Sequence, residues 1–374
     1  MRVGIDARKI RDFGIGTYIE KLIRYLPEHD ADNEYYLFHA PAGEAHVPQP
    51  GSRFHLIAES SPKYSLRELA ALPLQMRRLR LDLFHAPHYT LPPIRPCPGV
   101  VTIHDVIHLK FPDYLPHPFA AYYARGMMWA AARSAQAVIT VSECSKRDII
   151  HFLKVPDDKV HVIYNGIDVQ VEVSATEATH QQAMREQFGL SGPYILYLGN
   201  FMPHKNLDTL VKAYSRLKHR HHLPHRLVLA GKNERMRQQL QAVIAQERVE
   251  EDVLLTGFVE PAWVPALYRC ADLFVYPSLY EGFGLQALEA MAFRVPVALA
   301  GVAALPEIAG DAAVQFDPRS ADHMAEVMHE ALTDQPLRRT LIERGRKRIK
   351  RFSWREMARQ TVAIYQQALT GVSP

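Results

Sequence analysis

Cysteine is scarce in this 374-residue chain: Cys97, Cys144 and Cys270 are scattered and odd in number. They build neither a disulfide framework nor a zinc site, so a reducing compartment, the cytoplasm, is expected. Long apolar runs are missing too. The start, MRVGIDARK, has no apolar stretch behind its positive charges and does not read as a secretory signal. Residues 120–141 are the most apolar-looking stretch, but Arg125 and Arg133 interrupt them and a bilayer span is excluded. They read as a buried amphipathic helix running into a strand. There is no internal repeat and no low-complexity tract. Neither sign of charge dominates: the formal net charge of +4 excludes a polycation built to neutralise a nucleic-acid backbone. One stretch is locally basic, where Lys63, Arg67, Arg77, Arg78 and Arg80 surround helix-period apolar residues. It is either a solvated helix face or a contact for anionic lipid headgroups or a phosphate-bearing acceptor.

What is present is enough for a packed core, with 48% hydrophobic and 22% charged residues. At roughly 150 residues per domain the length points to two domains. Short apolar runs alternate with helix-period segments, which predicts parallel sheets covered by helices. The expected strands in the first half are 2–5, 35–38, 54–57, 81–84, 100–103, 137–141 and 160–163. In the second half they are 194–198, 226–230, 253–255, 273–276, 296–299 and 313–316. Between the halves, residues 169–182 are polar without a core face and read as a linker. The fold class is therefore α/β, with two doubly wound Rossmann-like domains facing across a cleft. The first spans 1–170, completed by a helix over 354–374, and the second spans 171–353. Open sheets of this kind bind ligands outside the carboxyl ends of their strands.

The strongest chemical signal is YPSLYEGFGLQALEAMA, residues 276–292. A strand ends, a turn with Gly282 and Gly284 follows, and a helix opens with Leu285, Leu288 and Met291 as its apolar stripe. A helix start exposes unpaired N–H groups and a positive dipole end, so a diphosphate suits Gly284, Leu285 and Gln286. Glu281 and Glu289, in Glu-x7-Glu spacing, offer carboxylates to sugar or ribose hydroxyls; the plainer reading is a helix-capping Glu281 and a solvated Glu289. YLGNFMPHKNLDTLV repeats the strand, glycine turn and helix. There Lys205 is expected to open the helix and place an ammonium beside a departing diphosphate. In the first half, Gly14-Ile-Gly16-Thr17 reads as a loop between strand and helix, suited to close backbone approach. His104-Asp105 ends a strand, where a lone histidine is more often structural than functional.

EGFGLQALEAMA, with PSLY before it and GVAALPEIAGDAA after it, resembles the signature of the family-four retaining glycosyltransferases of GT-B fold. The likeness runs from GIDAR and GIGTYIEKL through HDV, VSECSKRDI and VIYNGID to the C-terminal FSW helix. It implies transfer of a hexose from a nucleotide-diphosphate sugar, bound by the second domain, to a glycan or polyprenyl-linked glycan acceptor, bound by the first, with no cofactor and no metal. By resemblance Glu281 contacts the donor sugar, while Gly282, Phe283, Gly284 and Leu285 hold the diphosphate. Glu289 holds the ribose, and Lys205 meets the departing phosphate. The backbone at Val259 edges the base, Gly16 abuts the donor phosphate and the acceptor, and His104 lies near the reacting sugar. The sequence departs from the pattern at Gln286, where the family often has proline, and at Phe293-Arg294. It also has Asn200 where many members carry an arginine, which makes Lys232 the candidate replacement cation. The N-terminal strings look most like bacterial mannosyltransferases of surface-polysaccharide assembly, which favours GDP-mannose as donor, with a UDP-sugar as the alternative. Such an acceptor would suit peripheral docking at the inner face of a membrane through the stretch over 63–80.

Other groupings suggest metal less well. His85 with His88 and His104 with His108 lack the helical zinc spacing, His219, His221, His222 and His225 fall in an apparent solvated loop, and Asp30-Ala-Asp32 follows the first helix. Two further functions remain open on the same architecture: a nucleotide-sugar epimerase, which would need no acceptor, and a non-catalytic sugar-nucleotide sensor.

Overall fold

The computed structural model describes residues 1–65, 67–114, 118–168 and 177–370. The chain forms two compact units, Met1–Gly166 with Phe352–Pro374, and Ile167–Arg351. Each is built on a parallel sheet.

In the first unit the strands are β1 (Arg2–Asp6), β2 (Glu34–His39), β3 (Phe54–Ala58), β4 (Leu83–Ala86), β5 (Gly99–Thr102), β6 (Ala137–Thr140) and β7 (Val160–Val162). They lie in the order β3-β2-β1-β4-β5-β6-β7. Val3 pairs with Tyr35 on one side and Leu83 on the other, so β1 is central. In the second unit β8 (Tyr194–Leu198), β9 (Arg226–Ala230), β10 (Val253–Gly257), β11 (Leu273–Tyr276), β12 (Val297–Ala300) and β13 (Val314–Phe316) take the order β10-β9-β8-β11-β12-β13. In both sheets the strand order reverses beside the first strand, between β1 and β4 and between β8 and β11. The apolar runs make this arrangement necessary. Strands such as β4, β6, β11 and β12 are buried at every position, as strands covered by helices on both faces must be.

The last helix, Trp354–Thr370, returns to the first unit. Its Tyr365 is fully buried, and the phenol oxygen lies 2.7 Å from Nδ1 of His85 while His85 Nε2 lies 2.8 Å from Thr102 Oγ1. His85 thus joins the helix to β5, which explains one of the histidines that might have suggested metal. Burial drives its imidazole down to about 3. Asp30 likewise serves the fold, since its carboxylate accepts from the Tyr35 hydroxyl at 2.5 Å and from the Asn33 amide.

Four local expectations change. The linker over 169–182 falls outside the described residues at 169–176, and its remainder belongs to the helix Glu177–Phe188. The helix pattern over 63–80 narrows to Glu68–Leu79, and Lys63 stands apart from it, 2.8 Å from Asp12. The stretch over 120–141 does give a helix, Pro118–Ser134, and then β6, but Tyr122 and Trp129 stand on its exposed side. His219 and His221 lie in the last turn of the helix Leu207–His221, where His221 stacks on His329. Among the described residues no helix is long and apolar enough to cross a membrane, and no group of three or more His, Cys, Asp or Glu is placed to hold a metal ion.

Candidate active site

Four loops meet at the carboxyl edge of the second sheet. After β8 the chain passes Asn200 and Phe201 into a short turn, Pro203–Lys205, and only then enters the helix Leu207–His221. Lys205 therefore precedes the helix instead of opening it, because Asn206 takes a left-handed conformation (φ 58°) between turn and helix. The Asn206 amide donates to the carbonyls of Pro277 at 3.1 Å and Pro318 at 2.8 Å. It thereby ties this turn to the loop after β11. A second tie is the Leu279 N–H, which donates to the His204 carbonyl at 2.8 Å.

These ties set Lys205 against Glu281, Nζ to Oε1 2.5 Å, with both side chains about seven-eighths buried at 13% and 12% exposure. The Lys205 ammonium also stands 5.5 Å from the ring centroid of Tyr276. Burial alone would raise the Glu281 carboxyl, but the Lys205 charge and His204 outweigh it and hold it below the ordinary carboxylate range. At neutral pH Glu281 is a carboxylate, an acceptor of hydrogen bonds and not a proton donor.

Glu281 lies in the loop and not on the helix, which starts at Leu285 and ends at Ala292. Gly284 caps that start with φ 106°, ψ 48°, a conformation that suits glycine, and a Cβ there would come within 2.6 Å of Leu305 Cδ2. Gly284 offers no side-chain cap, the Ala287 N–H turns back to the Gly284 carbonyl at 3.1 Å, and a helix start of this kind favours an anion. Gln286, the departure from the family's proline, accepts from the Tyr276 hydroxyl at 2.9 Å and so braces the strand end against the helix. Gly282 and Phe283 are buried beneath the turn. One turn and a half further on, Glu289 accepts from the Tyr268 hydroxyl at 2.9 Å. Burial raises its carboxyl, against the lowering effect of that hydrogen bond. Glu289 is thus held by the fold and is not the freely solvated residue of the plainer reading.

The remaining two loops follow β9 and β10. The Phe201 N–H donates to the Lys232 carbonyl at 3.3 Å, and the Asn233 amide donates to the Phe201 carbonyl at 2.8 Å. The turn that carries Asn200 is thereby laced to the turn that carries Lys232. The Lys232 ammonium lies 4.9 Å from the Phe258 ring centroid, beside a pocket of about 480 Å³ lined by Lys232, Glu234, Arg237, Gly257 and Phe258. Val259 is buried next to the half-exposed Phe258.

Two expected residues lie in the first unit. Gly16 is not in a loop: the helix Phe13–Tyr25 begins before it, and its N–H donates to the Asp12 carbonyl at 2.8 Å. A Cβ on Gly16 would fall 2.2 Å from the Ile10 carbonyl oxygen, so glycine is required for close helix-to-loop packing. His104 follows β5 with Nε2 3.0 Å from the Pro87 carbonyl and its ring edge-on to Tyr18 at 5.0 Å. A carbonyl only accepts, so Nε2 carries the proton and Nδ1 is left as an acceptor. Burial, with a smaller push from Lys9, brings this imidazole down to about 4.

The sequence reading missed Asn206, Asn233, Tyr268 and Tyr276, which position the charged groups. Asn206 and Asn233 each left a trace as an asparagine immediately before a helix, and Tyr276 opens the 276–292 motif; Tyr268 left none.

Similarity to known proteins agrees with this geometry. Residues 14–171 match the model "Glycosyltransferase Family 4" and residues 180–348 the model "Glycosyl transferases group 1". The chain is 29% identical over 368 residues to O-antigen chain mannosyltransferase B of Escherichia coli, covering 94% of this chain and 96% of that protein. Among solved structures, sucrose-phosphate synthase from Thermosynechococcus elongatus has a TM-score of 0.79 at 20% identity over 100% of both chains. Anabaena Alr3699/HepE in complex with UDP-glucose has a TM-score of 0.76 at 19% identity, covering 98% of this chain and 100% of that one. Sequence, sheet topology and these likenesses agree: the chain belongs to the family-four glycosyltransferases and has the GT-B fold.

Proposed function

We propose that this glycosyltransferase moves mannose, with retention of configuration and without a metal ion, from GDP-mannose to a glycan or polyprenyl-linked glycan. The observation that carries the proposal is the buried Lys205–Glu281 pair in front of the helix start at Gly284, which has no side-chain cap. Breaking a sugar–phosphate bond leaves negative charge on the diphosphate and positive charge at the anomeric carbon. Fixed N–H groups and an ammonium stabilise the first, as a divalent cation does in other transferases. With donor bound, Lys205 turns from Glu281 to the diphosphate, and the Glu281 carboxylate is released to accept from the sugar's hydroxyls. Glu289, fixed by Tyr268, serves the ribose. The acceptor oxygen bonds the anomeric carbon on the face the phosphate leaves, and its proton passes to a phosphate oxygen. No protein nucleophile is needed.

Mannose is favoured by the name of the Escherichia coli relative; a UDP-sugar is the second reading, favoured by the UDP-glucose bound to the Anabaena protein. A lipid-linked acceptor would be met at a membrane surface, and the helix Glu68–Leu79 supports peripheral docking there. It exposes Leu74 among Arg67, Arg77, Arg78 and Arg80. The test is nucleotide diphosphate release from GDP-mannose and from UDP-glucose, each with and without a chelator. Release and acceptor labelling from GDP-mannose, undiminished by chelator, is expected. Loss of turnover with chelator overturns the metal-free reading, and turnover of UDP-glucose alone overturns the donor.

A further inference from the structure

A second constellation lies at the carboxyl edge of the first sheet, where the strand order reverses between β1 and β4. Open parallel sheets take ligands at such a point. Lys9 follows β1, His88 and Tyr89 follow β4, and Tyr64 lies in the segment after β3. Lys9 is buried. Its ammonium donates to the Tyr64 hydroxyl oxygen at 2.5 Å and lies 3.4 Å from Asp12, whose carboxylate Lys63 also meets at 2.8 Å. The lysine charge is thus answered from within the chain.

Tyr64 has a φ of 63°, a left-handed backbone that a tyrosine keeps only where its surroundings hold it. Lys9 grips its hydroxyl, and the Tyr123 hydroxyl donates to its carbonyl at 2.9 Å. Its ring lies 5.9 Å from those of both His88 and Tyr89, which are themselves 3.9 Å apart. Even so, Tyr64 keeps 39% of its surface exposed. Strain retained at an exposed aromatic side chain fits a residue whose presentation matters.

The chemistry of the cluster suits an uncharged polyol. Burial, and then Lys9 and the neighbouring His104, hold the His88 imidazole well below its ordinary range, so it is neutral and can both donate and accept. Its Nδ1 is a buried atom with no hydrogen-bond partner among the described residues, and buried polar atoms are ordinarily satisfied. The aromatic rings offer flat apolar faces of the kind that cover one side of a sugar ring.

We propose that Tyr64, His88 and Tyr89 form a subsite for an uncharged pyranose of the acceptor, with Tyr64 as its stacking platform and His88 Nδ1 receiving one of its hydroxyls. The assignment rests on the transferase reading above. The test is titration of the full chain by saturation-transfer NMR with methyl α-D-mannopyranoside, methyl α-D-glucopyranoside and mannose 6-phosphate, beside the rise in Tm caused by GDP. Tyr64→Asn tolerates the left-handed backbone and removes the platform. It should weaken binding of a neutral pyranoside about tenfold, the equivalent of one aromatic contact, and leave the GDP effect intact. Tyr64→Phe keeps the ring and should lose less, and His88→Ala makes an independent comparison if Tyr64→Asn fails to fold. The proposal falls if the wild type binds neither pyranoside, if the variants that fold bind as the wild type does, or if mannose 6-phosphate binds more tightly than the methyl glycosides. If GDP leaves Tm unmoved while Tyr64→Asn still abolishes pyranoside binding, the transferase reading fails and the subsite stands.

Discussion

The same edge of the two sheets carries two different sets of side chains. At the edge of the second, a lysine and a carboxylate face each other beside a helix start without a side-chain cap. At the edge of the first, imidazoles and phenols surround a lysine already satisfied by Asp12 and Tyr64. On the two proposals above, one edge meets a change in charge and the other meets hydroxyls that keep theirs. One topology can serve both because the strands fix only the position of the loops, and the loop residues then decide the chemistry.

The contrast is broken most severely at Glu281. Glu281→Gln should lower turnover about a thousandfold, the scale of removing one group that acts on the transition state, while the GDP-induced rise in Tm persists. Wild-type turnover in that variant would remove Glu281 from the mechanism. Lys205→Met should lower turnover by about a hundredfold and change the pH profile as well. Without the ammonium, burial is left to raise the Glu281 carboxyl, so the acid limb should move to higher pH. An unmoved limb would show that Lys205 does not govern that carboxylate.

The first unit should be the more sensitive to acid. His85 and His104 have folded-state values of about 3 and about 4, below the ordinary histidine value near 6.5. The unfolded chain binds protons first, so stability is complete above about pH 6.5 and declines as the pH falls toward 4 and then 3. Hydrogen exchange followed by mass spectrometry should therefore show β4 and β5 losing protection before β11 and β12 on acidification; the reverse order would refute this. Tyr365→Phe removes the partner of His85 and should cost about 1–3 kcal/mol in urea unfolding. The smallest effect belongs to Glu289→Gln. A buried acid with a raised folded value favours folding below its unfolded value and loses that contribution as the pH rises through the folded one. Gln should therefore melt no lower than Glu at neutral pH, yet bind GDP more weakly by isothermal titration.

The inner strands were legible because helices cover both faces of each sheet, which makes strands such as β6, β11 and β12 unbroken apolar runs. Tyr194–Leu198, Arg226–Ala230 and Leu273–Tyr276 occupy the same residues in sequence and structure. Helix starts were less legible. Gly14 and Gly16 read as a loop, yet both lie inside a helix, and position 16 is glycine because the adjoining Ile10 carbonyl leaves no room for a side chain, a cause invisible in one dimension. Lys205 read as the first residue of a helix that in fact waits for Asn206, whose amide is occupied with Pro277 and Pro318. The ends of the Glu-x7-Glu motif were plain, but Tyr268, which holds Glu289, comes from a separate helix outside the motif, and nothing in the spacing marks it as a partner.

The return of Trp354–Thr370 to the first unit orders events during synthesis. A ribosome releases everything the second sheet requires while β4 and β5 still lack Tyr365. The half made later can therefore settle earlier, and the half made first stays unfinished until Tyr365 has left the ribosome.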